Sequence, residues 1–167
     1  SLAEELGVSA NSLRALSVGW DGQNFVFPER DAKGKVTAIN VRYPDGTKRV
    51  GRGQRRGLYI PENLASFPGP LLAVEGASDV AACLTMGLAA VGRPNNSFGA
   101  KLLAELFPDR ELIVIGENDS KPHGLWPGRD GAIKVAAQLA SAWRRPVRYV
   151  LPPDDIKDVR AYLLAGW

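Results

Sequence analysis

The sequence predicts an α/β protein: a four-stranded parallel sheet flanked by helices, preceded by a small basic, β-rich α+β subdomain. Three observations predict it. After Pro70, four short apolar runs alternate with helix-like segments. Before it, runs rich in β-branched and aromatic residues are separated by turn residues. Between the two, ENLASFPGP (62–70) ends in Pro and Gly punctuation, which sets the expected division at 1–69 and 70–167.

Taken in order, residues 2–17 read as one or two short helices anchored by Leu6, Leu13 and Leu16, with Ser9 capping the second. From Trp20 the period changes. NFVFPERD, KVTAINVRY and TKRVG form an antiparallel meander, divided by the turns Ala32-Lys33-Gly34 and Pro44-Asp45-Gly46. GLYIP (57–61) reads as a further short strand. Beyond Pro70 the expected strands are 71–74, 88–91, 112–116 and 147–151. The helices are 77–86, about 98–107, about 129–143 and roughly 156–164. Four apolar strands alternating with helices imply a parallel sheet covered on both faces, with chemistry gathered beyond the strands' carboxyl ends.

Composition narrows the function classes. The apolar runs are only a few residues long, so no membrane span is expected. One Cys (Cys83) and one His (His123) exclude a disulfide framework and a Cys/His zinc cluster within this chain. No signal-like segment opens the chain, and a cytoplasmic setting is expected. The net charge of +3 comes from the first part: residues 1–70 carry 10 Lys and Arg against 7 Asp and Glu, whereas the remainder is balanced. Arg42, Lys48, Arg49, Arg52, Arg55 and Arg56 stand against Asp45 alone, next to Gly51, Gly53 and Gly57. Such a segment suits phosphate, and equally a charged edge strand protected from aggregation.

The acids carry the most information. Glu75 directly follows 71–74, Glu117 and Asp119 follow 112–116, and Asp154, Asp155 and Asp158 follow 147–151. Parallel strands bring all three sets to one edge of the sheet. Clustered carboxylates repel one another unless a cation neutralises them, and hard oxygen ligands suit Mg²⁺ or Mn²⁺. Asp79 and Asp130 fall in the first turns of helices, where capping explains them as well as function does. Arg93 follows the second parallel strand and is a further phosphate candidate. Asn118, between two acids on an extended chain, is expected to face away and be expendable.

On these residues a resemblance appears. LLAVEGASDVAA (71–82) resembles the first motif of the Toprim domain, E-G-x-x-D-x-x-A after an apolar strand. IVIGENDSKPHG (113–124) resembles its second, an apolar strand ending in D-x-D. VRYVLPPDDIKDVRAYL (147–163) resembles the closing segment of primase-type members, and the upstream basic stretch resembles the subdomain preceding Toprim in bacterial and phage primases. The resemblance implies a DNA primase core making short RNA primers by nucleotidyl transfer. It also implies Mg²⁺ or Mn²⁺, a single-stranded DNA template, ribonucleoside triphosphates and a helicase partner. Residue by residue, Glu75, Glu117 and Asp119 take the catalytic and metal positions, with Asp158 as a further ligand. Arg42, Lys48, Arg49, Arg52, Arg55, Arg56 and Arg93 are the nucleotide- and DNA-binding candidates. The chain departs from the pattern in having Glu117 where the motif has Asp, and in Ser120–Pro127, which reads as an inserted flap or a surface loop.

Two other functions fit the same residues: Toprim-type phosphodiester cleavage by a nuclease or topoisomerase, and a nucleic-acid-binding module without catalysis. Tyr43, Tyr59, Tyr149 and Tyr162 all fall on regular elements, which disfavours a topoisomerase nucleophile. His123 reads as a solvated loop residue, Cys83 as core and Trp143 as helix packing. Trp126 is a base-stacking candidate, and Trp20 and Trp167 complete no stacking stripe.

Overall fold

The computed structural model describes residues 1–153 and 155–166; Asp154 and Trp167 lie outside the described residues. Two short helices open the chain, α1 (Leu2–Leu6) and α2 (Ala10–Ala15), and Ser9 caps α2 by accepting from the Ser12 amide at 3.1 Å. Four antiparallel strands follow in the order β1 (Gly19–Trp20), β2 (Phe25–Arg30), β3 (Val36–Arg42) and β4 (Lys48–Val50). The short β1 extends the expected meander, with Trp20 packed on Phe25 at 4.8 Å between ring centroids.

The second sheet is parallel, in the order β6-β5-β7-β8. Its strands are β5 (Leu71–Glu75), β6 (Ala90–Arg93), β7 (Leu112–Ile115) and β8 (Arg148–Val150). They alternate with α3 (Gly76–Thr85), α4 (Ala100–Leu106), α5 (Pro127–Trp143) and α6 (Val159–Leu164). The second strand begins two residues later than expected, because the chain is still turning at Gly87 (φ 77°) and Leu88 is exposed.

The period of two along β5 divides the core. Leu71 and Ala73 pack with α4 and α5, together with Val91, Leu103, Val114 and Leu139. Leu72 and Val74 face the other side, where α3 meets α1, α2, Phe27 and Tyr59. Apolar contact is therefore continuous from the N-terminal helices and antiparallel sheet onto one face of the parallel sheet. No helix among the described residues is long and apolar enough to cross a membrane.

Residues 57–61 do not form the expected strand of the meander. Leu58 instead makes a single antiparallel bridge to Arg30, and Tyr59 makes one to Gly92 on β6. The segment thus stitches one sheet to the other. It passes so close to β2 that a Cβ at Gly57 would lie 2.5 Å from the Arg30 carbonyl oxygen, and only glycine fits there.

Candidate active site at the carboxyl edge of the parallel sheet

The ends of β5 and β7 and the start of α6 surround a cavity of about 250 Å³. Glu75, the last residue of β5, and Asp79, one turn into α3, stand on one side. Glu117, two residues beyond β7, and Asp158, the N-cap of α6, stand on another. Lys48, Lys157 and Arg160 add positive charge, and Phe27, Asn40 and Tyr59 form a wall from the antiparallel sheet side.

The electrostatics follow from crowding and partial burial. Burial pushes the Glu117 carboxyl up to about 7, with Glu75, Asp158 and Asp119 adding repulsion and Lys157 opposing it. Glu75 is also raised, chiefly by burial and then by Asp119, against the pull of Arg93 and Lys157. Lys157 lies 3.8 Å from Glu117 and 3.7 Å from Asp158, as a cation lodged between carboxylates. Burial lowers the Lys48 ammonium, helped by Arg42 and Arg160.

Asp79 is 4% exposed and is pushed up to about 8 by burial and by Asp158 and Glu117. It does not cap the helix that carries it. Its two oxygens accept from the Val159 and Arg160 amides at 3.4 and 3.3 Å, at the start of α6. Because its folded pKa lies above the ordinary 3.8, the native state binds the proton more tightly, and stability falls as pH rises from about 4 through about 8. Asp79→Asn is expected to raise Tm by about 5 °C at pH 9 and to change it little at pH 5. Thermal melts across that range check this, and an equal shift at both pH values would contradict it.

Asp119 turns toward α5, where its Oδ1 accepts from the Gly128 amide at 2.7 Å. Gly128 has to be small: a Cβ there would lie 2.7 Å from the Glu117 carbonyl oxygen and 2.8 Å from Asp119 Oδ1. The start of α5 therefore sets the path of the chain between the two acids.

Comparison with known proteins fits this geometry. No family model matches the chain. It is 31% identical over 129 residues to DNA primase TraC of Escherichia coli, an alignment that covers 71% of this chain and 9% of TraC. It superposes on the E. coli primase catalytic core with a TM-score of 0.71 at 20% identity, covering 98% of this chain and 67% of that one. On the primase fragment of the bacteriophage T7 primase-helicase protein the TM-score is 0.66 at 19% identity, covering 98% and 68%. The fold is that of a primase catalytic core.

Within this fold, the expected acids and cations separate into those at the cavity and those engaged elsewhere. Glu75, Glu117 and Asp158 line it, and Asp119 is near enough to act on both glutamates. Asp155 is exposed. Among the described residues, no three His, Cys, Asp or Glu side chains are gathered closely enough to hold one ion. Of the six nucleotide- and DNA-binding candidates in the basic segment, only Lys48 lines the cavity. Arg42 pairs with Glu5, Arg55 with Asp31 at 3.3 Å and Arg56 with buried Glu29 at 2.8 Å, while Arg49 and Arg52 are exposed. Arg93 is wholly buried and donates to the carbonyls of Asn96 and Ile115, so its guanidinium braces the strand ends rather than facing solvent.

Asn118 corrects the expectation that it is expendable. Its Nδ2 donates to the carbonyls of Pro152, Pro153 and Ile156 at 2.7, 2.9 and 2.9 Å, and its amide donates to Lys157 O at 2.7 Å. It fixes the loop that carries Lys157 and Asp158. Sequence reasoning also missed Lys157, Arg160, Asn40 and Glu29. The K-D pair in the closing motif pointed to the first; nothing local pointed to Asn40.

Proposed function

We propose that the chain is the catalytic core of a DNA primase, performing divalent-metal-dependent synthesis of short RNA primers on single-stranded DNA. The observation that carries this reading is the convergence of Glu75, Asp79, Glu117 and Asp158 on one cavity rimmed by Lys48, Lys157 and Arg160, in a primase-core fold. We also propose a division at 69/70, with the basic first part serving the nucleic acid and the second the chemistry.

The donor set fits Mg²⁺ or Mn²⁺. Such ions bind through one or two carboxylates, waters and substrate phosphates rather than through a closed protein cage. Glu75 and Glu117 would hold such an ion together with waters and phosphate oxygens, and Asp119 and Asp158 stand nearby as further candidate ligands rather than as a third carboxylate on the same ion. Held there, such an ion would supply charge neutralisation at the departing pyrophosphate and a lowered pKa for the attacking hydroxyl. The chain's own residues position and balance charge: Lys48 and Arg160 attract the triphosphate, and Arg93 holds the ends of β6 and β7 in register. Asn118 anchors the loop bearing Lys157 and Asp158. A primer 3′-hydroxyl then attacks the α-phosphate, forming one phosphodiester bond and breaking the bond to pyrophosphate.

A helicase or helicase domain as partner belongs to the proposal too, in keeping with the primase-helicase protein of bacteriophage T7. The deciding experiment is incorporation of labelled ribonucleotides on single-stranded DNA with Mg²⁺ or Mn²⁺. Short, template-dependent RNA products support the reading. Cleaved DNA without synthesis would replace it with the nuclease reading, and binding without either would leave a recognition module.

A further inference from the structure

The face of the antiparallel sheet that walls the cavity continues beyond it as one cross-strand row. Trp20 on β1 pairs with Phe25 on β2, Phe25 with Arg42 on β3, and Arg42 with Lys48 on β4. Residues paired across a sheet share a face, and so do residues two apart on one strand. Phe27 and Asn40, two residues from Phe25 and Arg42 respectively, line the cavity, as does Lys48. The row therefore lies on the cavity side of the sheet. Three strand spacings of about 4.8 Å put Trp20 roughly 14 Å from Lys48.

The row changes character along its length, from cations at the cavity to aromatic rings at its far end. Phe25 packs against the core, and Trp20 leans on it with ring centroids 4.8 Å apart and the planes tilted by 59°. Trp20 is 57% exposed, so much of the indole stays open to solvent. Trp126 and Trp143 are placed differently: Arg129 lies over the first at 4.6 Å and Arg145 over the second at 4.9 Å. Among the described residues, Trp20 is thus the exposed tryptophan without a cation over its ring. Arg42 is engaged through Nη2 by Glu5 of α1, and Glu5 is half exposed. A phosphate, which guanidinium binds through charge-assisted hydrogen bonds, competes with such a surface carboxylate.

We infer that this row is the track of the single-stranded template, with a base stacked on Trp20 and a phosphate of the same strand on Arg42. The inference rests on the nucleotidyl-transfer reading above and adds to it where the template runs. A template passes the nucleotide it pairs with, so its track has to start at the cavity, and this row starts there at Lys48. Lys48 and Arg160 remain for the triphosphate. A single strand offers open base faces, whereas a duplex keeps its bases stacked inside, so the aromatic end favours a single strand. Every base has such a face, and the contact is indifferent to sequence, as a template site has to be. A protein partner fits less well, because two aromatic rings fall far short of the ~1,200 Å² that a stable protein interface buries.

The test is equilibrium binding, at low salt, of an oligothymidylate of about 12 nucleotides, within the site sizes ordinary for single strands. An abasic oligonucleotide of the same length and charge is the comparison. The unmodified chain is expected to bind the oligothymidylate about tenfold more tightly, the effect of one stacked base. Trp20→Leu keeps an apolar cover over Phe25 but has no ring. It is expected to bring the oligothymidylate down to the abasic affinity and to leave the abasic affinity unchanged. Trp20→Phe keeps a ring, and is expected to retain most of the preference while losing the quenching of indole fluorescence on binding. Arg42→Gln is expected to weaken both oligonucleotides by the same factor and to lower the salt slope by about 0.7. Equal binding of the two oligonucleotides by the unmodified chain overturns the inference. So does a preference that survives Trp20→Leu, or an undiminished quench in Trp20→Phe, and an unchanged salt slope in Arg42→Gln overturns the phosphate contact. If Trp20→Leu does not fold, the unmodified chain and Trp20→Phe still decide the matter. Failure of both oligonucleotides to bind the unmodified chain would overturn the template reading itself, whereas equal binding overturns only the track at Trp20.

Discussion

Glu75→Gln and Glu117→Gln are each expected to lower ribonucleotide incorporation by roughly three orders of magnitude while the protein stays folded. Both side chains line the cavity, and both have raised carboxyl pKa values because burial and neighbouring acids disfavour the charge. Replacing either by its amide removes a ligand from the proposed divalent-ion site and relieves that crowding at once. For Glu117 the sign is definite. Its folded pKa of about 7 exceeds the ordinary 4.5, so the native state loses stability as pH rises through 7, and Glu117→Gln escapes that loss. The variant should therefore melt higher than the unmodified chain at pH 8 and no higher at pH 4. Asp119→Asn should fail just as severely in incorporation. Its stability should not rise in the same way, because the carboxylate also serves the Gly128 amide at the start of α5. Template-directed incorporation and thermal melts on the same preparations check both halves. Near-normal turnover in all three variants would remove the catalytic assignment, and turnover lost together with folding would reduce the acids to structural roles.

The parallel sheet was legible because its strands are short runs that alternate with helical segments, a pattern set by residues near one another in the chain, although only β5 passes directly into its helix. Glu75 and Glu117 were legible for the same reason, since each follows its strand directly. What escaped depends on partners far apart in sequence. Asp79 read equally well as a cap for its own helix or as a functional acid, and neither reading reveals that it accepts from amides 80 and 81 residues away at the start of α6. Asn118 read as outward-facing on an extended chain, and that geometry says nothing of the loop at 152–158, whose carbonyls converge on it. The basic segment read as one patch by composition. Folding disperses it, because Glu5, Asp31 and Glu29 each claim an arginine and leave Lys48 to reach the cavity.

Glu29→Met is expected to destabilise the chain by about 3–5 kcal/mol, the cost of breaking a buried ion pair by removing one partner. For a chain of this length that corresponds to a fall in Tm on the order of 10 °C. The alternation along β2 shows why the site is exacting. Phe27 is 5% exposed and Glu29 is 0% exposed, so the carboxylate occupies a position the strand pattern would give to an apolar residue. Methionine supplies the shape but leaves the Arg56 guanidinium, the Gly57 amide and the Tyr59 hydroxyl without their acceptor. Removing the cation as well, in Glu29→Met with Arg56→Met, should recover a good part of the loss, since two apolar side chains tolerate the site better than one stranded charge. The effect should also reach the cavity. Tyr59 and the bridges at Leu58 and Tyr59 join the antiparallel strands to β6, so loosening Glu29 loosens the wall that holds Asn40. Denaturant unfolding of the two single variants and the double variant measures the coupling directly. Additive losses would show that Glu29 and Arg56 act independently, against the paired geometry.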